Sequence, residues 1–154
     1  MIELNVNLRE INNDNFMTCV NLEVDDNQKN FVANNMKSLA QAWLEYEYAQ
    51  PFAIYNGDVM VGFIMFHVKK DKKECYMWRF MMDKNHQGKG YGKAALTSAI
   101  EHYKNTMGLK EMLTSIVPGN DAAVKLYENL GFKFTGEIDD GEHVMKLSLD
   151  GSLN

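Results

Sequence analysis

The chain has 154 residues, 45% hydrophobic and 24% charged, which fits one globular domain spanning residues 1–154 and excludes wholesale disorder. A formal net charge of −5 argues against a general nucleic-acid binder, which presents a basic surface, and suits a cationic small-molecule partner. Met1-Ile2-Glu3-Leu4-Asn5 lacks the basic and then apolar segments of a signal peptide, and the run Val61 to Phe66 is far too short to span a bilayer, so a soluble cytoplasmic protein with no membrane partner is expected.

From about Leu4 to Ile11 apolar and polar residues partly alternate, as in a half-buried strand, before Asn12-Asn13-Asp14 offers capping side chains. Phe16, Cys19 and Val20 share one face of a short helix. After Asp25-Asp26-Asn27, the recurrence of Val32, Met36, Leu39, Trp43 and Tyr46 predicts a second helix that follows directly and runs to about Glu47, with Pro51 as its stop. Trp43 and Tyr46 are expected in the core or lining the site of a bound substrate. Phe52 to Tyr55 and Val59 to Val68, joined by Asn56-Gly57-Asp58, read as a β-hairpin. Beyond the solvated turn Lys69 to Lys73, Glu74 to Asp83 is a strand rich enough in apolar residues to be buried on both faces.

Leu96, Ala99, Ile100, Tyr103 and Met107 then form an amphipathic helix that ends near Gly108. Met112 to Val117 is a strand closed by Pro118-Gly119. Ala123, Leu126, Tyr127 and Leu130 lie on one face of a helix capped by Asn120-Asp121 and stopped by Gly131. Phe132 to Ile138 and Val144 to Leu149 are two last strands around the turn Asp139-Asp140-Gly141. The order predicts an α/β (α+β) fold, with a mixed, mostly antiparallel sheet of about seven strands and about four helices. A helix joins Glu74–Asp83 to Met112–Val117, so these two strands can be parallel, and the right-handed crossover puts the intervening loop at their mouth, where ligands favour binding.

That loop is Gln87-Gly88-Lys89-Gly90-Tyr91-Gly92-Lys93. Glycine permits positive φ and close approach of a ligand to the main chain, and a helix starting inside the loop adds unpaired N–H groups and its positive dipole end. With Lys89 and Lys93 beside it, the stretch reads as an anion cradle, although solvated helix lysines would give the same letters. Cys19 and Cys75 stand far apart in no redox or metal spacing, and His67, His102 and His143 have none either, so neither a disulfide framework nor a metal is expected.

Gln87-Gly88-Lys89-Gly90-Tyr91-Gly92 resembles the Gln/Arg-x-x-Gly-x-Gly/Ala loop of the GNAT superfamily, the Gcn5-related N-acetyltransferases. The run from Asn120 to Phe132 is similar to that family's Asn-x-x-Ala-x-x-Leu-Tyr-x-x-x-Gly-Phe segment, and the order of elements matches as well. The resemblance implies the GNAT fold, acetyl-CoA as donor and an amine as acceptor. It implies that Gln87 to Lys93 hold the pyrophosphate, that backbone groups near Met81 and Met82 pair with the pantetheine arm in a V between splayed strands, and that Asn120 and Ala123 line that arm. Tyr127 matches the usual general acid; on composition alone it is a core tyrosine. A backbone N–H, expected at Met82, would stabilise charge on the carbonyl oxygen, and a phenol can protonate a leaving thiolate.

Trp78-Arg79-Phe80-Met81-Met82-Asp83, with Gln28 to Ala33 upstream, is similar to bacterial spermine/spermidine N-acetyltransferases. In those enzymes a carboxylate on the strand before the loop often activates the amine, and the matching position here is Trp78, which with Glu23, Glu45 and Glu47 is expected on the acceptor side. Glu74 and Asp83, at the ends of that strand, are the other carboxylates considered. The base is left open among Glu23, Glu45, Glu47 and solvent. Acceptors other than polyamines, namely a protein N-terminus, a lysine or an aminoglycoside, also stay open, as does a non-catalytic acetyl-CoA-binding module. Dimerisation is frequent in the family, and the last two strands are expected edges for a homodimer.

Overall fold

A computed structural model describes residues 4–149; Met1 to Glu3, read above for a signal peptide, lie outside the described residues. The strands are β1 (Val6–Glu10), β2 (Ala49–Asn56), β3 (Val59–Lys69), β4 (Glu74–Met82), β5 (Glu111–Ile116), β6 (Lys133–Asp139) and β7 (Glu142–Ser148). The α-helices are α1 (Phe16–Val20), α2 (Asn35–Leu44), α3 (Tyr91–Met107) and α4 (Asp121–Asn129). One sheet runs in the order β1-β2-β3-β4-β5-β7-β6. Every neighbouring pair is antiparallel except β4 with β5, so the expected mixed α/β architecture is present.

The apolar pattern divides between the two faces of this sheet. Ile64, Phe66, Leu96, Ile100, Met112, Phe132 and Met145 form the larger cluster, on the side of α3 and α4. Cys19, Ala42, Ala53, Phe63 and Met65 form the smaller one, on the side of α1 and α2. β3 contributes to both, which is why it reads as a nearly unbroken apolar run. The Gly57-Asp58 turn between β2 and β3 has Gly57 at φ +60, as a tight hairpin requires.

Four expectations about the helices and the sheet edge change. Pro51 does not stop α2: the helix ends at Leu44, and Pro51 lies in β2 opposite Met65. Pairing with β1 begins only at Phe52, so the missing N–H of Pro51 deprives no neighbour of a bond. α1 and α2 are separated by a 3-10 turn, Asp26–Gln28, and an irregular stretch, and Trp43 (75% exposed) and Tyr46 (71% exposed) stand out of the core, stacked on each other. Of the last two strands only β6 is an edge, because β7 pairs with both β5 and β6.

β4 is not a uniformly buried strand. Phe66 opposes Met77 and Met65 opposes Arg79, leaving Trp78 as the extra residue of a β-bulge. Before the bulge Cys75 and Met77 point into the larger cluster; after it Phe80 and Met82 do, while Trp78 and Met81 pack on the other face.

Candidate active site

β4 and β5 pair only through Cys75 with Met112, Tyr76 with Leu113 and Met77 with Thr114. The Thr114 hydroxyl donates to the Met77 carbonyl at 3.0 Å and ties the last paired step. Beyond it the strands part, and the bulge at Trp78 increases the local twist that separates them. A cleft of about 810 Å³ opens there.

The side of β4 facing this gap keeps its main-chain groups available. Asp83 N–H donates to Val61 O at 2.8 Å, so by antiparallel alternation Met81 also points its N–H and C=O at β3, while Phe80 and Met82 point theirs into the gap. The Met82 carbonyl accepts from Gln87 Nε2 at 3.0 Å, and the same nitrogen reaches Gln28 Oε1 at 2.8 Å. Gln87 thus uses its side chain to hold the end of β4 to the segment after α1. Asp83, only 8% exposed, accepts from the backbone N–H of Glu23 at 2.9 Å and of Asn85 at 3.2 Å, so this carboxylate is a buried staple for the loop.

Gly88 (φ +74) and Gly90 (φ +86) turn the chain into α3 through conformations that a side chain would strain. The first α-helical bond is Ala94 N–H to Gly90 O, so the N–H groups of Tyr91, Gly92 and Lys93 lack intrahelical partners. At Gly92 a Cβ would stand 2.8 Å from Phe80 Cζ; its absence lets the start of α3 lie against β4. Tyr91 is buried and its hydroxyl accepts from Asn56 Nδ2 at 3.2 Å, so it contributes to the glycine turn through its main chain. Lys89 and Lys93 are exposed at the rim.

On the opposite wall Asn120 occupies the N-cap position of α4, yet its side chain makes no capping bond. It lines the cleft with Ala123 and Tyr127. Tyr127 is 5% exposed and packs on Phe80 and Phe132, with ring centroids at 6.3 and 5.6 Å. Burial pushes its phenol far above the ordinary value, so the group keeps its proton at neutral pH. Met81, Met82, Gln87 to Lys93, Asn120, Ala123, Tyr127 and Trp78 therefore all line one cleft.

The acidic residues of the two-helix segment do not. Glu23 pairs with Lys84 at 3.2 Å, pinning the connection after α1 to the loop. Glu45 lies 3.9 Å from His67, and neither it nor the exposed Glu47 lines the cleft. The cleft is instead basic, with Lys29, Lys37, Arg79, Lys89 and Lys93 at its walls, although the chain as a whole is acidic. Its one carboxylate among the described residues is Glu142, which sequence reasoning passed over because Asp139-Asp140-Gly141 signalled only a hairpin. Among the described residues no cluster of three metal-ligating side chains occurs, and no helix is long and apolar enough to cross a membrane.

The cleft, its unpaired strand amides and its buried phenol can hold an anionic ligand, polarise a carbonyl and donate a proton. Residues 9–132 match the model of the acetyltransferase (GNAT) family. The chain is 34% identical over 149 residues to a probable spermine N(1)-acetyltransferase of Bacillus subtilis subsp. natto (strain BEST195), across 92% of this chain and 97% of that protein. It is 33% identical over 149 residues, with the same coverage of 92% and 97%, to the spermine/spermidine N(1)-acetyltransferase of Bacillus subtilis (strain 168). Its fold is similar to that of spermidine N-acetyltransferase from Vibrio cholerae in complex with CoA and spermine, with a TM-score of 0.74 at 16% identity over 93% of this chain and 95% of that chain. On the family match and the relatives that run along nearly its whole length, the chain belongs to the acetyltransferase (GNAT) family and is an N-acetyltransferase.

Proposed function

We propose that this protein acts as one domain to transfer the acetyl group of acetyl-CoA directly to a primary amine of a small polycationic acceptor, a polyamine such as spermidine or spermine. The observation that carries the reading is the cleft in which the glycine turn, the outward N–H groups of β4 and Tyr127 converge. Its residues fit a coenzyme A thioester: the main chain from Gly88 to Lys93 and two rim lysines suit a pyrophosphate, and the β4 edge suits an amide-bearing arm. When bound, acetyl-CoA supplies an activated acetyl carbonyl and a thiolate leaving group.

This chain's residues then have separable tasks. The N–H of Met82 faces the gap and stabilises negative charge that develops on a carbonyl oxygen, an effect that a fixed donor exerts without reorganisation. Tyr127 holds a proton that it can give to a departing sulfur. Asn120, free of its capping duty, can hydrogen-bond an amide of the donor's arm, while Ala123 leaves room for it. Gln87 keeps the end of β4 in place beneath the glycine turn. No covalent enzyme intermediate is needed: burial raises the Cys19 thiol to about 11 and the Cys75 thiol to about 12, and neither is a nucleophile at neutral pH.

The curated relatives, named for spermine and spermidine, support a polyamine as acceptor. The test is thiol release from acetyl-CoA with spermidine, spermine, putrescine, a lysine peptide and an aminoglycoside, with the products identified by mass. Fastest turnover with spermidine or spermine is expected. A clear preference for the peptide or the aminoglycoside would replace the polyamine assignment, and acetyl-CoA binding without turnover on any amine would leave a binding module.

A further inference from the structure

We infer that Glu142, the first residue of β7, takes the proton from the acceptor amine and that Ser115 positions it; this rests on the acetyl-transfer reading above. Glu142 is the only carboxylate among the described residues that line the cleft. Its Oε1 accepts from Ser115 Oγ at 3.2 Å. Ser115 directly follows Thr114, the last β5 residue paired with β4, so the carboxylate stands where the two strands begin to part. The hairpin behind it is tight: Asp139 pairs with Glu142, and Asp140 (φ +50) and Gly141 (φ +79) form the two-residue turn. Glu142 therefore sits on a rigid support rather than on a loose loop.

A second cavity shows from which side the amine comes. The face of β4, β5 and β7 carrying Tyr76, Ser115 and Glu142 floors a groove of about 1000 Å³. Trp78, Arg79, Ser115 and Glu142 line both this groove and the cleft, and so form the passage between them. The groove is polarised along the strands. Lys69, Lys72, Lys73 and Lys110 outnumber Glu74 and Glu111 where β4 and β5 begin, whereas Asp139, Asp140 and Glu142 outnumber Arg79 where those strands approach the cleft. A polycation is drawn to the acidic end and repelled from the basic one, which brings an amine to Glu142.

Asp139 and Asp140 line the groove but not the cleft, and the remaining carboxylates are committed or remote. Asp83 is bonded to two backbone N–H groups, Glu23 is paired with Lys84, and Glu74 begins β4 at the far end of the groove. Glu142 accepts one proton from the acceptor ammonium, directly or through a water, which frees the nitrogen lone pair. As the C–N bond to the acetyl thioester forms and the C–S bond breaks, the sulfur leaves with the electron pair and takes the Tyr127 proton. Of the ammonium's three protons one stays on the amide, one passes from Glu142 to solvent, and the third restores Tyr127, for a net release of one proton.

Charged and titratable groups facing Glu142 are Arg79 and Tyr76 of β4, Asp139 at the end of β6 and Asp140 in the turn. The test compares wild type with Glu142→Gln on the same amine panel from about pH 7 to 10. At pH 7 the variant's kcat should fall about 100-fold. The deficit should narrow as pH rises, because solvent then supplies the free amine. Acetyl-CoA affinity and the melting temperature should stay unchanged, Glu142→Asp should recover part of the rate, and Glu74→Gln should match wild type. Ser115→Ala should lose several-fold with the same pH trend and Ser115→Thr should restore it. Wild-type turnover with an unaffected Glu142→Gln, or a deficit constant across pH, overturns this assignment alone. No wild-type turnover with any amine overturns it together with the functional reading.

Discussion

The two sides of the cleft are built from different materials. On the proposed donor side β4 and the start of α3 present main-chain groups, the N–H groups of Phe80 and Met82 and those of the first turn of α3 after two glycines at positive φ, with Asn120 and Tyr127 as the side chains of the opposite wall. The side chains beside them are occupied in holding that main chain, Gln87 by bonds to Met82 O and Gln28 and Asp83 by bonds to Glu23 and Asn85. On the proposed acceptor side the groups shared by cleft and groove are the side chains of Trp78, Arg79, Ser115 and Glu142, which come from three strands. A main-chain site constrains the sequence at its glycines, whereas a side-chain site can be rewritten residue by residue for a new acceptor.

The largest test of that contrast is Gly62→Ala. Gly62 opposes Met82, and a Cβ there would stand 2.5 Å from the Met81 carbonyl oxygen, a backbone atom that no rotamer change can move. A cost of about 3 kcal/mol is expected, seen as a fall in melting temperature of about 6–12 °C. Because the shift is transmitted to the end of β4, acetyl-CoA affinity should suffer more than the acceptor KM. Equal losses on both would mean that the two sides are not mechanically separate.

Next in size is Tyr127→Phe, which removes the proton donor and keeps the ring contacts with Phe80 and Phe132. A drop in kcat of about 100-fold is expected with acetyl-CoA affinity within about twofold, measured by steady-state kinetics and calorimetry. Loss of affinity with kcat preserved would return Tyr127 to the core. Gln87→Ala, which deletes the bonds to Met82 O and Gln28, is smaller. At about 1 kcal/mol for each of the three lost bonds, with about half of that felt at the donor site, it should raise the KM for acetyl-CoA roughly tenfold and leave the acceptor KM alone.

The same contrast explains what could be read from the letters. Main-chain recognition needs glycine where φ is positive and small residues at close approaches, so Gly88, Gly90 and Gly92 announced the loop, and the hairpin at Gly57 announced its neighbours. The order of elements and the single parallel pair followed from turn residues and periodicity. Glu142 was hidden because its contact with Ser115 and its place in the cleft exist only once β7 has inserted between β5 and β6. Trp43 and Tyr46 misled in the opposite sense: they keep helical spacing with Leu39, but the buried face of α2 is Asn35, Ser38 and Ala42, which leaves Trp43 outside it, and Tyr46 lies past the helix end at Leu44. The bulge at Trp78 left no signal either, since an extra residue in a strand changes the register and not the composition.

The smallest effect bears on the rim of the donor side, where side chains do enter. Lys89 and Lys93 are exposed and flank the glycine turn, so each holds its charge near a bound phosphate without being buried with it. An exposed charge in water gains little and is screened within about 8 Å at physiological salt. Replacing either by alanine should therefore raise the KM for acetyl-CoA only about two- to fivefold at low salt, with kcat and the acceptor KM unchanged. At about 1 M salt, where the screening length shrinks to about 3 Å, wild type and variants should converge. A loss that persists at high salt would mean a direct hydrogen bond, and the donor side would then share the side-chain character of the acceptor side. No loss at any salt would make both lysines solvated helix residues and leave the pyrophosphate to the main-chain N–H groups from Gly88 to Lys93 alone.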